Sequence, residues 1–326
     1  MTKLKDKVQN ALDEGRMLVL GSQVLLGFQY RSAFEPGFPK LPQHAQYLKI
    51  GSLGLMLVAF GLLLAPAAYH RIVEEGEDTN RLHRFTSAVM SYALLPFAVA
   101  LGIDIYVSME RTTVQSLALT AGLLATLVAL FFWYGLEFMR RPRREPAVRE
   151  KRAMDEKENE QAEAEGTKLT DKIRHVLTET RVVLPGAQAL LGFQFVTTLM
   201  EAFEKLPLSL QYVHLASLFL VALSIVLLMT PAAYHRIVEK GEETEHFHAF
   251  ASRTLIAAMI PLALGVTGDF FVVVNKITRS TKTAIIASAL VLLFFYGFWF
   301  GLTLYRRSRQ PTTAALARGR SQQPAS

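Results

Sequence analysis

Asp104 and Asp269 are the two aspartates that lie inside long apolar runs, and they stand 165 residues apart. A charge held at mid-bilayer costs at least about 2.5 kcal/mol, so an ionisable group in a membrane span marks an ion or proton path by default. His70 and His235 recur at the same interval inside PAAYHRIVE, which occurs at Pro66 to Glu74 and again at Pro231 to Glu239. If the string continues as helix, His70 stands over Glu74, Arg71 over Glu75 and His235 over Glu239, the four-residue spacing at which side chains meet. Such imidazole–carboxylate pairs could form a proton or cation vestibule. Gln23 and Gln188, with Gln29 and Gln194, fall inside the first apolar run of each half and could line a path between the two groups.

Each of these residues also has a plain structural use. Tyr69 and Tyr234 fit interfacial aromatics, Arg71 and Arg236 phosphate contacts, and Trp133 and Trp299 anchors in an aromatic belt. Intramembrane glutamines commonly bond a neighbouring helix, at about 0.6 kcal/mol each. From Arg84 to Asp104 is roughly 30 Å of helix, which puts Asp104 at the opposite interface from His70, where a wet carboxylate is ordinary. The histidines and aspartates are therefore two ends of a path or two unrelated features, not one site.

The elements that position them are membrane helices. Of the 326 residues, 51% are hydrophobic, gathered into blocks. Ile50 to Tyr69, Thr112 to Leu136, Leu215 to Tyr234 and Thr283 to Tyr305 each run twenty or more residues without a charge, the length needed to cross a hydrocarbon core. Four further runs, each carrying at most one charge, bring the expected spans to about 17–34, 49–69, 84–107, 113–138, 181–203, 212–234, 249–274 and 282–305. Continuous apolarity favours helices over barrel strands, which alternate. The expected fold is all-α, a polytopic membrane protein of eight transmembrane helices.

A shift of 165 residues superposes the halves: QVLLGFQ falls on QALLGFQ, Lys40-Leu41-Pro42 on Lys205-Leu206-Pro207, and Pro96 on Pro261. The chain reads as an internal duplication, residues 1–139 and 168–307, each a four-helix unit. An even number of spans makes the two repeats parallel, as in a homodimer fused into one chain. Short segments at 3–15 and 168–179 carry apolar residues at helical spacing beside Lys and Arg, and read as amphipathic helices lying in the headgroup region. Residues 140–167 form a charged linker and 308–326 a disordered tail. Lys3, Lys5, Lys7, Arg71, Arg81, Arg84 and Arg140 to Arg144 gather on one side, so both termini are expected in the cytoplasm.

The exclusions are broad. Zero cysteines removes disulfide and thiolate chemistry. No Walker loop, dinucleotide glycine pattern, HExxH or nucleophile elbow is present, so neither an enzyme nor a cofactor is expected. Basic residues track the membrane edges, which gives no support for nucleic acid. The dense group Glu242, Glu243, Glu245, His246 and His248 reads as a solvated turn, because the first repeat has Asn80 and Arg81 at two of its positions, and no metal is expected.

At QALLGFQF, KLP with QYVHLAS, and TPAAYHRIVEKGEET, the chain resembles an uncharacterised bacterial family of four-span membrane proteins, often named automatically as sodium:proton antiporters. The resemblance implies a tandem form of a unit that usually stands alone and pairs, leaving a homo-oligomer open. The leading functional expectation is cation or proton transport across the lipid bilayer. The alternative is a non-catalytic membrane scaffold that binds other proteins through its amphipathic segments and linker.

Overall fold

The computed structural model describes residues 4–110, 113–135, 168–237, 239 and 244–309, so the linker and most of the tail lie outside the described residues. The described chain is helical, without strands. Before the linker run α1 (Leu4–Ser32), α2 (Gln43–Ile72), α3 (Asn80–Glu110) and α4 (Gln115–Leu130), the last continued by a π-helical turn at Phe131–Gly135. After it run α5 (Leu169–Thr198), α6 (Leu208–Ile237), α7 (Glu245–Thr278) and α8 (Thr281–Tyr296), with a π turn at Gly297–Gly301 leading into Leu302–Ser308.

Six of these helices, all but α1 and α5, are long and apolar enough to cross a membrane. α2 and α7 are the most buried of the six, whereas α4 and α8 are peripheral. The peripheral helices turn Leu123, Leu124, Leu127, Ile286, Leu290 and Leu293 outward, each more than half exposed. Apolar surface on that scale is what lipid covers. The molecule is a membrane protein.

α1 and α5 match the others in length but fall short in apolarity, because polar residues replace Leu and Val on their buried sides. Ser22, Gln23 and Gln29 on α1, and His175, Glu179 and Gln194 on α5, are all buried. The two helices pack on each other through glycines: a Cβ at Gly27 would overlap the Phe193 ring, and one at Gly186 would overlap the Gln23 side chain. This close pair is the central seam of the bundle.

The in-plane amphipathic helices expected at 3–15 and 168–179 are not separate elements. Each is the first part of an unbroken helix, α1 or α5. Their apolar residues do not wait for lipid: Val8 and Ala11, Ile173 and Val176 are buried inside the protein. Packing against neighbouring helices satisfies the same apolar stripe that a headgroup layer would.

Candidate functional site

Two polar groups stand at opposite ends of the bundle. At the first, α3 supplies Asp104 and α2 supplies Lys49, whose Nζ donates to Asp104 Oδ1 at 2.8 Å. Ser52 Oγ donates to the same oxygen at 2.8 Å, and Gln29 Nε2 from α1 donates to Oδ2 at 2.5 Å. The 165-residue register repeats the arrangement in the second half. His214 Nδ1 lies 2.9 Å from Asp269 Oδ1, and Gln194 Nε2 donates to Oδ2 at 2.6 Å. Each aspartate is thus held by an amide from the first helix of its half and a cationic or titratable group from the second.

The two copies differ in wetness and in the nature of the base. The Asp104 side chain is 21% exposed and faces a lysine, while Asp269 is 6% exposed and faces an imidazole. A cavity of about 10 Å³ touches Asp269, His214, Gln194 and Tyr30, close to the volume of a single water. Lys49 and His214 were missed as site residues by sequence reasoning. The available signal was that both occupy one position of the duplicated register.

The second group lies at the other end of α2, 21 residues and about 32 Å beyond Lys49. Here the expected pairing of His70 with Glu74 and of Arg71 with Glu75 does not form. α2 stops at Ile72, and Glu75 and Gly76 take the left-handed conformation with φ of 52° and 88°, so residues 74 and 75 leave the helical register. Gly76 also meets a space limit, since a Cβ there would come 2.9 Å from His248 Nε2. The turn frees His70 and Arg71 to reach across to α5.

Their partner is Glu179. His70 Nδ1 lies 2.5 Å from Glu179 Oε1, and Arg71 holds both carboxylate oxygens, Nε to Oε2 at 2.7 Å and Nη2 to Oε1 at 2.9 Å. Burial by itself would raise the Glu179 carboxyl, but Arg71 and then His70 overcome it and hold it down to about 2. One helical turn earlier, His175 lies with Nδ1 3.2 Å from Asp78 Oδ1. Burial, and then the neighbouring His70, push His175 down to about 4. His70, Asp78 and His175 are all buried, and their ligand-type atoms lie within 4.8 Å of one another, the set that could hold a metal ion among the described residues.

Among the described residues this group is one-sided. The equivalents of Glu179 and His175 in the 165-residue register are Glu14, which is exposed, and Asn10. His235 packs its ring on Phe247 at 4.6 Å, with Nε2 buried and unbonded. Glu239 pairs with His246 at 3.4 Å rather than with His235.

Several expected anchors are interior residues. Tyr69 is fully buried, stacked on Phe85 at 4.2 Å, and Arg71 is in the Glu179 pair rather than on a phosphate. Trp299 is also fully buried, with Nε1 donating to Gly61 O at 2.7 Å. The cause is a close approach of α8 to α2 at Gly61, where a Cβ would meet Phe294 and Phe295 at 2.5 to 2.7 Å. The register puts Val226 in place of Gly61, and on the other side Trp133 stays partly exposed, edge-on to Phe97 at 5.8 Å. Tyr234 stacks on Phe250 at 4.3 Å, and the Arg236 side chain lies outside the described residues.

Between the two groups lies the α1–α5 seam. Gln23 is fully buried against Gly186, with neither amide atom bonded to the protein, whereas its register partner Gln188 is exposed. A cavity of about 30 Å³ sits between Gly15, Val19, Thr178, Glu179 and Val183. Beyond it, a cleft of about 920 Å³ opens at the arginine-rich end, lined by Arg71, Glu74, Lys172, His248 and Arg307 among others.

No curated protein and no solved structure matches this chain. Residues 2–137 and residues 162–303 each match the same family, a family of unknown function (DUF6328), as a tandem duplication would. The chain belongs to that family.

Proposed function

We propose that the protein moves protons or monovalent cations along the α1–α5 seam, with Asp269 and His214 as the buried exchange site. The observation that carries this reading is a file of polar stations on one face of α5. Lys172 lines the open cleft, Glu179 lines the next cavity, Gly186 faces the unbonded Gln23 amide, and Gln194 bonds Asp269 beside the last cavity. The first three follow at seven-residue intervals, which keeps them on one helix face about 10 Å apart. Steps of that length need intervening water to carry a proton.

The same reading has α1 and α5 crossing the bilayer with the other six helices, as two parallel units. It puts the arginine-rich end and both termini in the cytoplasm of a bacterial cell, and assigns no covalent catalysis. One observation favours the scaffold alternative: the two internal cavities, about 30 and 10 Å³, are small and separate. A packed bundle of that kind would serve as a fixed membrane platform.

Flux into proteoliposomes separates the two. Under an imposed pH or sodium gradient the wild type is expected to dissipate the gradient, and Asp269→Asn to reduce the rate at least tenfold. Absence of flux in the wild type under either gradient refutes transport and leaves the scaffold. Equal flux in the wild type and the variant removes Asp269 from the path.

A further inference from the structure

The inter-repeat cluster at the arginine-rich end has a feature that ion pairing does not account for. Arg71 grips both oxygens of Glu179, which keeps that carboxylate ionised and therefore an acceptor. The 2.5 Å contact from Glu179 to His70 Nδ1, shorter than the 3.1 Å from Arg71 Nη2 to the same nitrogen, then places the proton on Nδ1. The other ring nitrogen, Nε2, is left with its lone pair. It is fully buried and has no hydrogen-bond donor in the protein.

His175 presents the same problem twice, since it is fully buried and neither ring nitrogen makes an aligned hydrogen bond. Its ring lies 5.6 Å from that of His70, and its Nδ1 is 3.2 Å from a carboxylate oxygen of Asp78. Two buried imidazoles with unused nitrogens, one carboxylate, and a second carboxylate behind the first imidazole make the first and second shells of a transition-metal site. The carboxylate–histidine pair fixes the tautomer that a metal needs.

We infer that His70 Nε2, His175 and Asp78 form a binding site for a zinc-class divalent cation that clamps α5 to the end of α2 and the turn that follows it. Tetrahedral ligands about 2.0 Å from zinc lie roughly 3.3 Å apart. The set at present spans up to 4.8 Å, so binding draws it inward by side-chain rotation. A bound water completes four-coordination. Carboxylates are close at hand: Asp78 beside His175, Glu179 behind His70 and paired with Arg71, and Asp171 one turn before His175 on the same helix. The site exists once per chain, because the duplicated register has Asn10 in place of His175. It is independent of the transport reading, since a clamp of this kind serves a carrier and a scaffold alike.

The test uses the full-length protein in detergent, with any affinity tag removed and metal stripped by chelator. Titration with Co(II) is expected to give saturable visible d–d absorption at one equivalent per chain, displaced by Zn(II), with Zn(II) raising the thermal midpoint. His175→Asn, which restores the residue of the other repeat, is expected to weaken binding at least 100-fold while the protein still elutes as a folded species. Asp78→Asn gives a second variant should the first fail to fold. Glu245→Gln, in the exposed acidic turn nearby, is expected to leave the titration unchanged. No saturable Co(II) spectrum in the wild type, or an undiminished one in both His175→Asn and Asp78→Asn, overturns the assignment.

Discussion

Replacing Glu179 by Gln tests the inter-repeat pair directly. The change keeps the shape of the side chain but removes the charge that faces Arg71, whose side chain is fully buried, as Glu179 itself is to 3% exposure. Removing one partner of a buried pair strands the other charge in a poorly polarisable surrounding, at a cost of about 3 to 5 kcal/mol. In domains of 150 to 250 residues each kcal/mol shifts the midpoint by about 2 to 4 °C. Glu179→Gln is therefore expected to lower the thermal midpoint in detergent by roughly 6 to 20 °C, measured by intrinsic fluorescence at one fixed heating rate. Glu14→Gln, at the equivalent but exposed position, is expected to stay within about 0.5 kcal/mol, which is under about 2 °C. Replacing both partners, Arg71→Met with Glu179→Leu, removes the stranded charge and is expected to recover most of the loss. A Glu179→Gln midpoint within 2 °C of wild type, or a double variant no better than the single, would refute the account of this pair.

Two further outcomes follow from the same region and the seam. The Glu179 carboxyl is held from 4.5 down to about 2, so its contribution to stability is complete above pH 4.5 and is lost as the pH falls toward 2. Wild-type protein is expected to lose thermal midpoint over that window more steeply than Glu179→Gln, and parallel curves would contradict it. A methyl at Gly186 has no room beside Gln23, so Gly186→Ala is expected to lower the midpoint by the equivalent of about 1 to 3 kcal/mol, with Gln23→Ala in the same chain restoring it.

The sequence carries the helices plainly and the side-chain partners poorly, for a physical reason. Long apolar runs announce themselves, and Asp104, Asp269, Gln29 and Gln194 were visible as polar exceptions within them. Lys49 and His214 were hidden because a basic residue near a span end has an ordinary use at the membrane edge. His175, Glu179 and Asp78 were hidden because each looks like a solvated charge in its local context. Glu179 lies more than a hundred residues from His70 and Arg71 in the chain, on the far side of the linker. The i, i+4 rule misled at PAAYHRIVE because it holds only while the helix continues, and a left-handed pair at Glu75 and Gly76 ends it. Trp299 misled because a belt aromatic and a core aromatic are alike in sequence, and only the close approach at Gly61 decides between them.

Duplication normally promises two equal sites, yet the buried contacts here are unequal in a consistent direction. α5 supplies Glu179 and His175 to the end of α2, whereas α1 offers only an exposed Glu14 and Asn10 in the same register. α8 seats Trp299 on α2 through Gly61, where the other half has Val226. Both differences make α2 the helix that the second half grips. Without the second half, Arg71 would lose both the Glu179 carboxylate and the α7 side chains, His248 and Ser252, that cover it. Fusion into one chain fixes the order of the two units and removes the need for each to present both faces of one interface. That permits one end of one copy to hold the Glu179 cluster while, among the described residues at the corresponding end of the other, His235 packs on Phe247 and Glu239 pairs with His246.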